Sequence, residues 1–398
     1  MTIINIVIIV LVSSVVYCYL IYPYLIQILA RFLSRDWLKD ENYRPRVSII
    51  IAVHNEEKVI ERCLDSLFEL DYPPHLLEIC IGSDGSTDGT NILLGKYAGK
   101  DKRIKPFFFP AQRGKMLTLN DIVVHARGDI LFFVDGDVIL SENSLKVHIR
   151  NFADGSIGAT AGKYVVHTEE YDTLFHTENE YASLEQKIRE SEGRISSTMG
   201  LYGGNYAIRK SLWKDLPSSL VHDDLFVILS INEQGYRVIY EPESVSTDIY
   251  NRSLREEFKR KARSASRGYH TLSYFPDALR FTKGSDTFFL WSHKVLRWLS
   301  PMLILLTVLL LIIGYRTNGS SLYLVIIATF GSGALIGFVG YMLEQQGRTI
   351  PVMRQITWLL VMNLAYIYGT YQYVFGKDKP IWSMASRAII PKSADHQG

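Results

Sequence analysis

Residues 131–140 read LFFVDGDVIL, with Asp135 and Asp137 one glycine apart between two apolar runs. The apolar residues predict a buried β-strand. In a strand, residues i and i+2 point to the same face, so the two carboxylates would converge on one point. Burying two unpaired carboxylates costs on the order of several kcal/mol for each. We therefore expect a positively charged group to meet them.

Short apolar runs alternate with helical patterns on both sides of this stretch, over residues 45–250. Strands are predicted for VSIIIAV, LEICIGS, RIKPFFF and DILFFVD, and helices from about Glu56, Ser86 and Lys115. This alternation predicts an α/β domain with a mostly parallel sheet covered by helices on both faces. The motifs HNEE, SDGSTDGT, QRGK and DGD follow the successive strands. Ligands of such sheets bind beyond the carboxyl ends of the strands, so these motifs predict a binding site there.

The motif residues favour a diphosphate held together with a metal ion. Lys115 opens a helix directly after Gly114, and the backbone amides of a helix start suit a phosphate group. Asp135 and Asp137 offer hard oxygen ligands, which predicts Mg²⁺ or Mn²⁺ between them and the diphosphate. A turn with two solvated aspartates is the alternative. Asp84 is suited to accept hydrogen bonds from a base or ribose, although its loop also reads as a plain turn with a helix cap.

Apolar segments at both ends of the chain predict membrane helices. Residues 3–30 carry no charge, so a transmembrane helix is expected within residues 1–33. The basic residues that follow it place the next segment, and with it the α/β domain, in the cytosol. Residues 251–298 are expected to form amphipathic interfacial helices, although FFLWSHKVLRWLS at 288–300 is equally read as the flank of a span.

Three further spans are expected within residues 299–376, at about 299–315, 322–343 and 355–375. Residues 377–398 remain as a tail. An odd number of spans would leave that tail outside, whereas its basic residues favour the cytosolic side.

Charge and cysteine content exclude other classes of function. With 43 Lys+Arg against 41 Asp+Glu, the net charge of +2 creates no global field for nucleic acid. The three cysteines cannot all pair and show no CxxC spacing, so we interpret them as small buried hydrophobic residues.

Taken in order, these motifs resemble those of the family 2 glycosyltransferases, which are inverting enzymes with a GT-A (Rossmann-like) fold, many of them membrane-integrated. VHNEE at 53–57, SDGSTD at 83–88, Gly114–Lys115 and the two aspartates of DGD match the family's donor-side motifs. GGNYAIRK at 203–210 resembles its acceptor-side segment, and HDDLF at 222–226 the stretch that bears the catalytic base.

The resemblance implies a role for each matching residue. It implies that the nucleotide-sugar is bound by Asn55, Glu56, Asp84, Lys115, Asp135 and Arg263. It implies metal ligation by Asp135 and Asp137, acceptor binding by Gly203, Gly204, Asn205 and Asp223, and base catalysis by Asp224. For Asp223 and Asp224, an acidic pair that complements a helix dipole is the alternative.

The stretch FKRKARSASRGY at 258–269 departs from the family's QxxRW motif. Arg263 matches the motif arginine, but Arg260 stands in place of Gln and Ser264 in place of Trp. An ordinary basic interfacial helix is the alternative for this segment. Because QxxRW belongs to the processive members, we expect one or a few sugars to be added rather than a long polymer.

Together the sequence predicts an integral membrane enzyme, in the plasma membrane, with its active site in the cytosol. It is expected to transfer a sugar from a nucleotide-sugar, a UDP-sugar, to a lipid-linked or growing glycan acceptor with inversion. A nucleotidyl- or phospho-transferase using the same metal and phosphate site is the alternative. A catalytically silent membrane scaffold is disfavoured by the full set of polar motifs.

Overall fold

The computed structural model describes residues 3–167, 174–218, 224–249, 254–346, 348 and 350–377. These residues divide into two compact units. The helical unit takes in 3–32, 174–188 and 254–377, and the sheet unit takes in 33–167, 189–218 and 224–249. Every predicted site residue that the structure describes lies in the sheet unit, except Arg263.

The sheet unit is built on one mixed sheet of eight strands within the described residues. The strands are β1 (Val47–Val53), β2 (Leu77–Asp84), β3 (Ile104–Phe109), β4 (Ile130–Phe133), β5 (Val138–Leu140), β6 (Ile157–His167), β7 (Tyr206–Arg209) and β8 (Arg237–Ile249), in the order β3-β2-β1-β4-β7-β6-β8-β5. Neighbours are parallel from β3 to β4 and between β6 and β8. They are antiparallel where β7 and β5 pair. The α/β class is confirmed, and the later strands make the sheet mixed.

Thirteen α-helices lie in the described residues. They are α1 (Ile3–Val16), α2 (Tyr22–Leu33), α3 (Ile60–Phe68), α4 (Thr90–Lys100), α5 (Lys115–His125), α6 (Ser144–Ile149), α7 (Leu174–Ile195), α8 (Asp224–Glu233), α9 (Leu254–Tyr274), α10 (Ser285–Phe289), α11 (Leu296–Asn318), α12 (Ser321–Gln345) and α13 (Pro351–Val374). A π-helical turn joins α1 to α2 and another joins α10 to α11.

Helices on both faces bury β1 completely. All seven residues of β1 are buried, as expected for a central strand with both faces covered. Ile49 and Ile51 belong to a core shared with Cys63 and Leu64 of α3. Helix α5 packs against β1 and β2, and it comes close to Gly82 of β2. The alternation of strand and helix read from the sequence is therefore real, and it brings four strand ends to one edge.

Two helices begin later than their polar motifs. Helix α3 begins at Ile60 rather than about Glu56, and α4 at Thr90 rather than about Ser86. The intervening residues form turns, and Asn55 has a positive φ of 55°. The polar motifs therefore lie in loops between strand and helix, where their groups are available to a site.

Three helical runs of the described chain are long and apolar enough to cross a membrane: Ile3–Leu33, Ser285–Asn318 and Ser321–Gln345. Residues 285–318 form one helical run, so FFLWSHKVLRWLS is continuous with a candidate span. This agrees with the alternative interpretation of the stretch as the flank of a span. The third C-terminal stretch forms α13, which does not reach the same apolar character in the described part of the chain. It contains Arg354 and Asn363 as well as several tyrosines.

Candidate active site

Four polar loops meet at one edge of the sheet. They follow β1, β2, β3 and β4, which run parallel, so their carboxyl ends lie on the same side. The loops contain HNEE, SDGS, QRGK and DGD in that order. All four belong to the sheet unit. This edge is where the sequence places a ligand site.

Hydrogen bonds of Asn55 link the loop after β1 to the loop after β2. Its Oδ1 accepts from the backbone N–H of Thr87 at 2.7 Å, and its own N–H donates to Ser86 Oγ at 3.1 Å. The neighbouring Glu56 is largely buried, and its N–H donates to Thr90 Oγ1 at 2.8 Å. Asn55 thus positions the second loop, and its direct contact with a nucleotide stays a prediction.

Hydrogen bonds of Asp84 link the loop after β2 to the loop after β3. The residue is fully buried, and its two carboxylate oxygens accept from the N–H groups of Arg113 and Gly114, each at 2.8 Å. A Cβ on Gly85 would lie 2.4 Å from the backbone N of Gln112, so only glycine allows the loops to approach this closely. This geometry gives Asp84 a positioning role, and its predicted contact with a base or ribose stays a prediction.

Lys115 brings a cation to the DGD loop. It is the first residue of α5, after Gly114 at a φ of 101°. Its Nζ lies 2.6 Å from Oδ1 of Asp135, and the two side chains are 14% and 28% exposed. A positive group therefore meets Asp135, one of the two carboxylates. The side chain of a lysine at a helix start is also well placed to bind a phosphate.

Asp135 and Asp137 lie in a turn that follows β4, in agreement with the predicted order of strands and motifs, so the argument that residues i and i+2 of one strand share a face does not apply to them. Strand β4 ends at Phe133, β5 begins at Val138, and β5 pairs with β8 rather than continuing β4. The Val138 N–H donates to the Asp135 carbonyl oxygen at 3.2 Å, which closes the turn. A Cβ on Gly136 would lie 2.7 Å from Val53 Cγ1, so the turn needs glycine. Both carboxylates are partly exposed, and this avoids the cost of burying them.

The two carboxylates of Asp135 and Asp137 suit a cation whose coordination shell is completed by the substrate. No group of three or more His, Cys, Asp or Glu residues gathers in the described ranges to hold a metal ion by itself. Mg²⁺ commonly takes one or two carboxylates and completes its shell with water and substrate phosphates. Asp135 and Asp137 fit that donor set, because both are accessible hard oxygen ligands beside a phosphate-suited helix start.

The acceptor-side glycines lie next to Asp135. A Cβ on Gly204 would be 3.3 Å from Asp135 Cβ and 2.8 Å from Val138 Cγ2, so this backbone packs directly on the DGD turn. Gly203 precedes it in the same turn, in which the Asn205 N–H donates to the Tyr202 carbonyl oxygen at 3.0 Å.

Asn205 itself is turned into the protein. It is fully buried, its Oδ1 accepts from His148 Nε2 at 3.0 Å and from Ser244 Oγ at 3.1 Å, and its Nδ2 donates to the Ser244 carbonyl oxygen at 3.1 Å. These bonds fix the turn that carries the two glycines. The acceptor-binding role predicted for Asn205 has no support in this geometry, because its amide is already engaged inside the fold.

Asp224 is the first residue of α8. Strand β8 is parallel to β6, and β6 and β4 are both antiparallel to β7, so β8 ends at the same edge as β4. Helix α8 precedes β8 in the chain and packs against it. The role of Asp224 as the base stays a prediction.

Asp223 lies outside the described residues. Arg263 belongs to α9 in the helical unit, so its predicted contact with the donor stays a prediction.

Sequence reasoning missed two contributors to this edge. His148 of α6 reaches the acceptor-side turn through Asn205, and Tyr164 of β6 stacks on Tyr202 with ring centroids 4.0 Å apart. Neither carries a motif, and each is about 40 to 60 residues from its partner in the chain. The one available signal was the position of Tyr202 directly before the double glycine.

The comparisons with known proteins agree with this architecture. The family model described as "Glycosyl transferase family 2" matches residues 48–216. A poly-beta-1,6-N-acetyl-D-glucosamine synthase of Staphylococcus aureus is 27% identical over 233 residues, which are 57% of this chain and 55% of that protein. A probable glycosyltransferase of Bacillus subtilis, YdaM, is 24% identical over 66% of this chain and 56% of its own length. The matches thus span about half the length of these curated relatives.

A solved structure shares the fold over almost the whole chain. The mannosyltransferase PcManGT of Pyrobaculum calidifontis, in complex with GDP-Man and Mn²⁺, superposes with a TM-score of 0.70 at 22% identity, covering 94% of this chain and 100% of that one. The family model and these relatives favour glycosyl transfer over the nucleotidyl- or phospho-transferase alternative. Residues 48–216 therefore match the family 2 glycosyltransferase model, and the chain shares the fold of the PcManGT structure.

Proposed function

We propose that the enzyme transfers a sugar from a nucleotide-sugar to a lipid-linked or growing glycan acceptor, with inversion, at the cytosolic face of the plasma membrane. Three apolar helical runs support membrane integration. The poly-N-acetylglucosamine synthases among the relatives support a glycan acceptor. A UDP-sugar is the proposed donor, and one carrying N-acetylglucosamine is the first to test.

The observation that carries this proposal is the convergence of donor-side and acceptor-side elements on Asp135. Lys115 bonds the Asp135 carboxylate from the donor side, and Gly204 packs against its Cβ from the other. A diphosphate bound at the start of α5 would therefore place its attached sugar towards the turn of residues 202–205. That arrangement suits a reaction in which an acceptor approaches a sugar while the diphosphate departs.

The residues present fit a divalent cation. Asp135 and Asp137 would hold Mg²⁺ or Mn²⁺, and the ion would supply charge neutralisation for the diphosphate. Lys115 adds a second positive charge at the same place. It can remain beside Asp135 while its ammonium group also donates to a phosphate oxygen, because it has three N–H donors.

Asp224 is the proposed general base. Its carboxylate would take the proton from an acceptor hydroxyl as the oxygen attacks the anomeric carbon from the face opposite the nucleotide. One such displacement inverts the configuration at that carbon. The start of α8 holds the carboxylate on a rigid element.

Sugar-nucleotide consumption by the purified, detergent-solubilised full chain tests this function. UDP- and GDP-linked sugars are supplied with Mg²⁺ or Mn²⁺, and the released nucleotide and the anomeric configuration of the product are measured. We expect a nucleoside diphosphate and an inverted glycosidic bond. Release of pyrophosphate or a nucleoside monophosphate, or retention of configuration, would contradict the proposal.

A further inference from the structure

Tyr164 and Tyr202 form a stacked aromatic pair in the sheet unit. Their ring centroids are 4.0 Å apart and their planes meet at 29°. Tyr202 directly precedes Gly203, whereas Tyr164 comes from β6. Both side chains are partly exposed. The motif-based assignment of the site uses neither residue.

The ring of Tyr202 is the inner ring of the pair, and it lies beside Asp135 at the proposed reaction centre. A Cβ on Gly204 would lie 2.9 Å from Tyr202 Cε1 and 3.3 Å from Asp135 Cβ, so the tyrosine ring and the aspartate flank the same backbone atom. Tyr202 also packs against the hydrophobic core that contains Val138. The core and the turn hold this ring on one side, and Tyr164 covers it on another.

The ring of Tyr164 is the outer ring of the pair, and it lies at the same edge of the sheet as the four site loops. The Gly162 N–H donates to the Asn205 carbonyl oxygen at 2.8 Å, which sets β6 beside the turn of residues 202–205. Strand β6 runs parallel to β4, since both are antiparallel to β7. Tyr164 is two residues further along, and so it lies beyond this level in the direction of the DGD loop.

A partly exposed aromatic ring at this position suits one class of ligand. Aromatic side chains offer a flat apolar face with a polar hydroxyl at its rim. A pyranose ring also has an apolar face of C–H groups surrounded by hydroxyls. A phosphate group or a small alcohol would gain little from such a surface. Stacking of the two tyrosines on each other holds the outer face in one orientation before the ligand arrives.

We propose that the Tyr164–Tyr202 pair is the platform on which a sugar ring of the acceptor rests, next to Asp135. The attacking hydroxyl then belongs to a saccharide and not to a lipid phosphate. This inference rests on the proposed function, because it names the chemical class of the acceptor for that reaction. Tyr202 sets the position of the platform, and Tyr164 supplies its outer face.

Substitutions of Tyr164 test the platform in the full chain. The donor is the sugar nucleotide that the wild type consumes, and the acceptor probe is an octyl β-N-acetylglucosaminide. Tyr164→Ala should raise the KM for this acceptor about tenfold, the order expected for loss of one aromatic contact, while the KM for the donor changes less than twofold. Tyr164→Phe keeps the ring and should retain the wild-type acceptor KM.

Tyr236→Ala is the matched control, because Tyr236 is a partly exposed tyrosine that precedes β8 at the opposite edge of the sheet. Its acceptor KM should equal that of the wild type. Melting temperatures of all variants show whether they are folded. An unchanged acceptor KM in Tyr164→Ala would overturn the inference while leaving glycosyl transfer intact, as would faster transfer to a polyprenyl phosphate than to the glycoside. If the wild type consumes no sugar nucleotide at all, the proposed function falls, and the platform falls with it.

Discussion

Asp84 and Asp135 carry the same functional group in opposite surroundings. Asp84 is fully buried and accepts two backbone N–H groups, so it shapes the loop before α5. Asp135 is 28% exposed and pairs with Lys115, so it remains accessible to a ligand. The two backbone donors satisfy the hydrogen-bonding needs of the buried Asp84 carboxylate without any ligand. The difference separates residues that build the site from residues that bind in it.

We predict that Asp137 ligates the divalent cation. Asp137→Asn should reduce turnover about 100-fold or more, because a neutral amide is a poor replacement for a carboxylate at a Mg²⁺ or Mn²⁺ site. Turnover is measured at increasing metal concentration. Asp71→Asn is a suitable control, since Asp71 is an exposed carboxylate that pairs with Lys146 at 2.7 Å. Near-normal activity of Asp137→Asn at saturating metal would show that Asp137 is not a ligand.

We predict that Asp224 is the base. Asp224→Asn preserves shape but not basicity, so transfer should fall by about 100- to 10,000-fold while the affinity for the nucleotide-sugar is unchanged. Turnover and donor binding are measured on the same preparation. Asp215→Asn, a change of an exposed aspartate in the preceding loop, should leave both unchanged. Weaker donor binding in Asp224→Asn would instead point to a role in the nucleotide site.

At the scale of elements, the strands and the order of motifs could be predicted from the sequence. VSIIIAV and LEICIGS read as buried strands because covering both faces of a parallel sheet demands continuous apolar runs, and the structure has β1 and β2 there. The position of the DGD motif after β4 could be predicted in the same way, but the path of the chain beyond it could not. The apolar residues on both sides of the motif look like one strand, and only the pairing of β5 with β8 shows that the chain leaves β4 and rejoins the same sheet at its far side.

The hydrogen-bond network around Asn205 could not be predicted from the sequence for the same physical reason. A buried polar side chain needs partners, but the sequence does not say which residues supply them. His148 of α6 and Ser244 of β8 supply them here, from 57 and 39 residues away. Local patterns report which face of an element is buried, whereas contacts between distant elements depend on how the whole sheet is assembled.

The link from α6 to the acceptor-side turn makes the stability of the protein depend on pH. Burial lowers the pKa of His148 to about 4, and the hydrogen bond to Asn205 only partly opposes this. The imidazole is neutral in the folded protein, while in the unfolded chain its pKa is about 6.5. Stability is therefore complete above pH 6.5 and is lost as the pH falls towards 4, because protonation favours the unfolded chain.

We expect His148 alone to remove about 2 kcal/mol of stability between pH 7.5 and pH 5. The melting temperature of the full chain in detergent, measured across this range, should show the loss. His148→Gln should be less stable than the wild type at pH 7.5 but should lose less on acidification. Parallel pH profiles for the two proteins would mean that His148 does not cause the loss.

At the scale of the whole molecule, the chain combines a catalytic sheet with apolar helices in both its N-terminal and C-terminal parts. Its net charge of +2 gives no strong overall attraction to a membrane surface, whereas the apolar helices are long enough to cross a membrane. An enzyme held in this way can reach acceptors that themselves reside in the membrane. The number of sugars added in one encounter then depends on how well the product is retained.

The residue that bears on retention is Ser264. A processive enzyme must hold the growing glycan after each transfer, and an aromatic ring stacked on a sugar does this well. Ser264 is exposed on α9 and offers no such ring. The candidate spans also expose mainly apolar side chains, including Leu305, Leu309 and Leu335, whereas an aqueous channel for a polysaccharide would need polar groups along its lumen.

We therefore predict that the enzyme adds one or a few sugars and then releases its product. The test is to size the products formed by limiting enzyme with excess acceptor. A uniform extension by one or two sugars is expected, because each acceptor should be used about once before any is used again. Ser264→Trp, which restores the aromatic residue of the processive motif, should shift the products towards longer chains if retention at this position limits their length. Long chains made by the wild type beside untouched acceptor would contradict the prediction, because they require a product that stays bound between transfers.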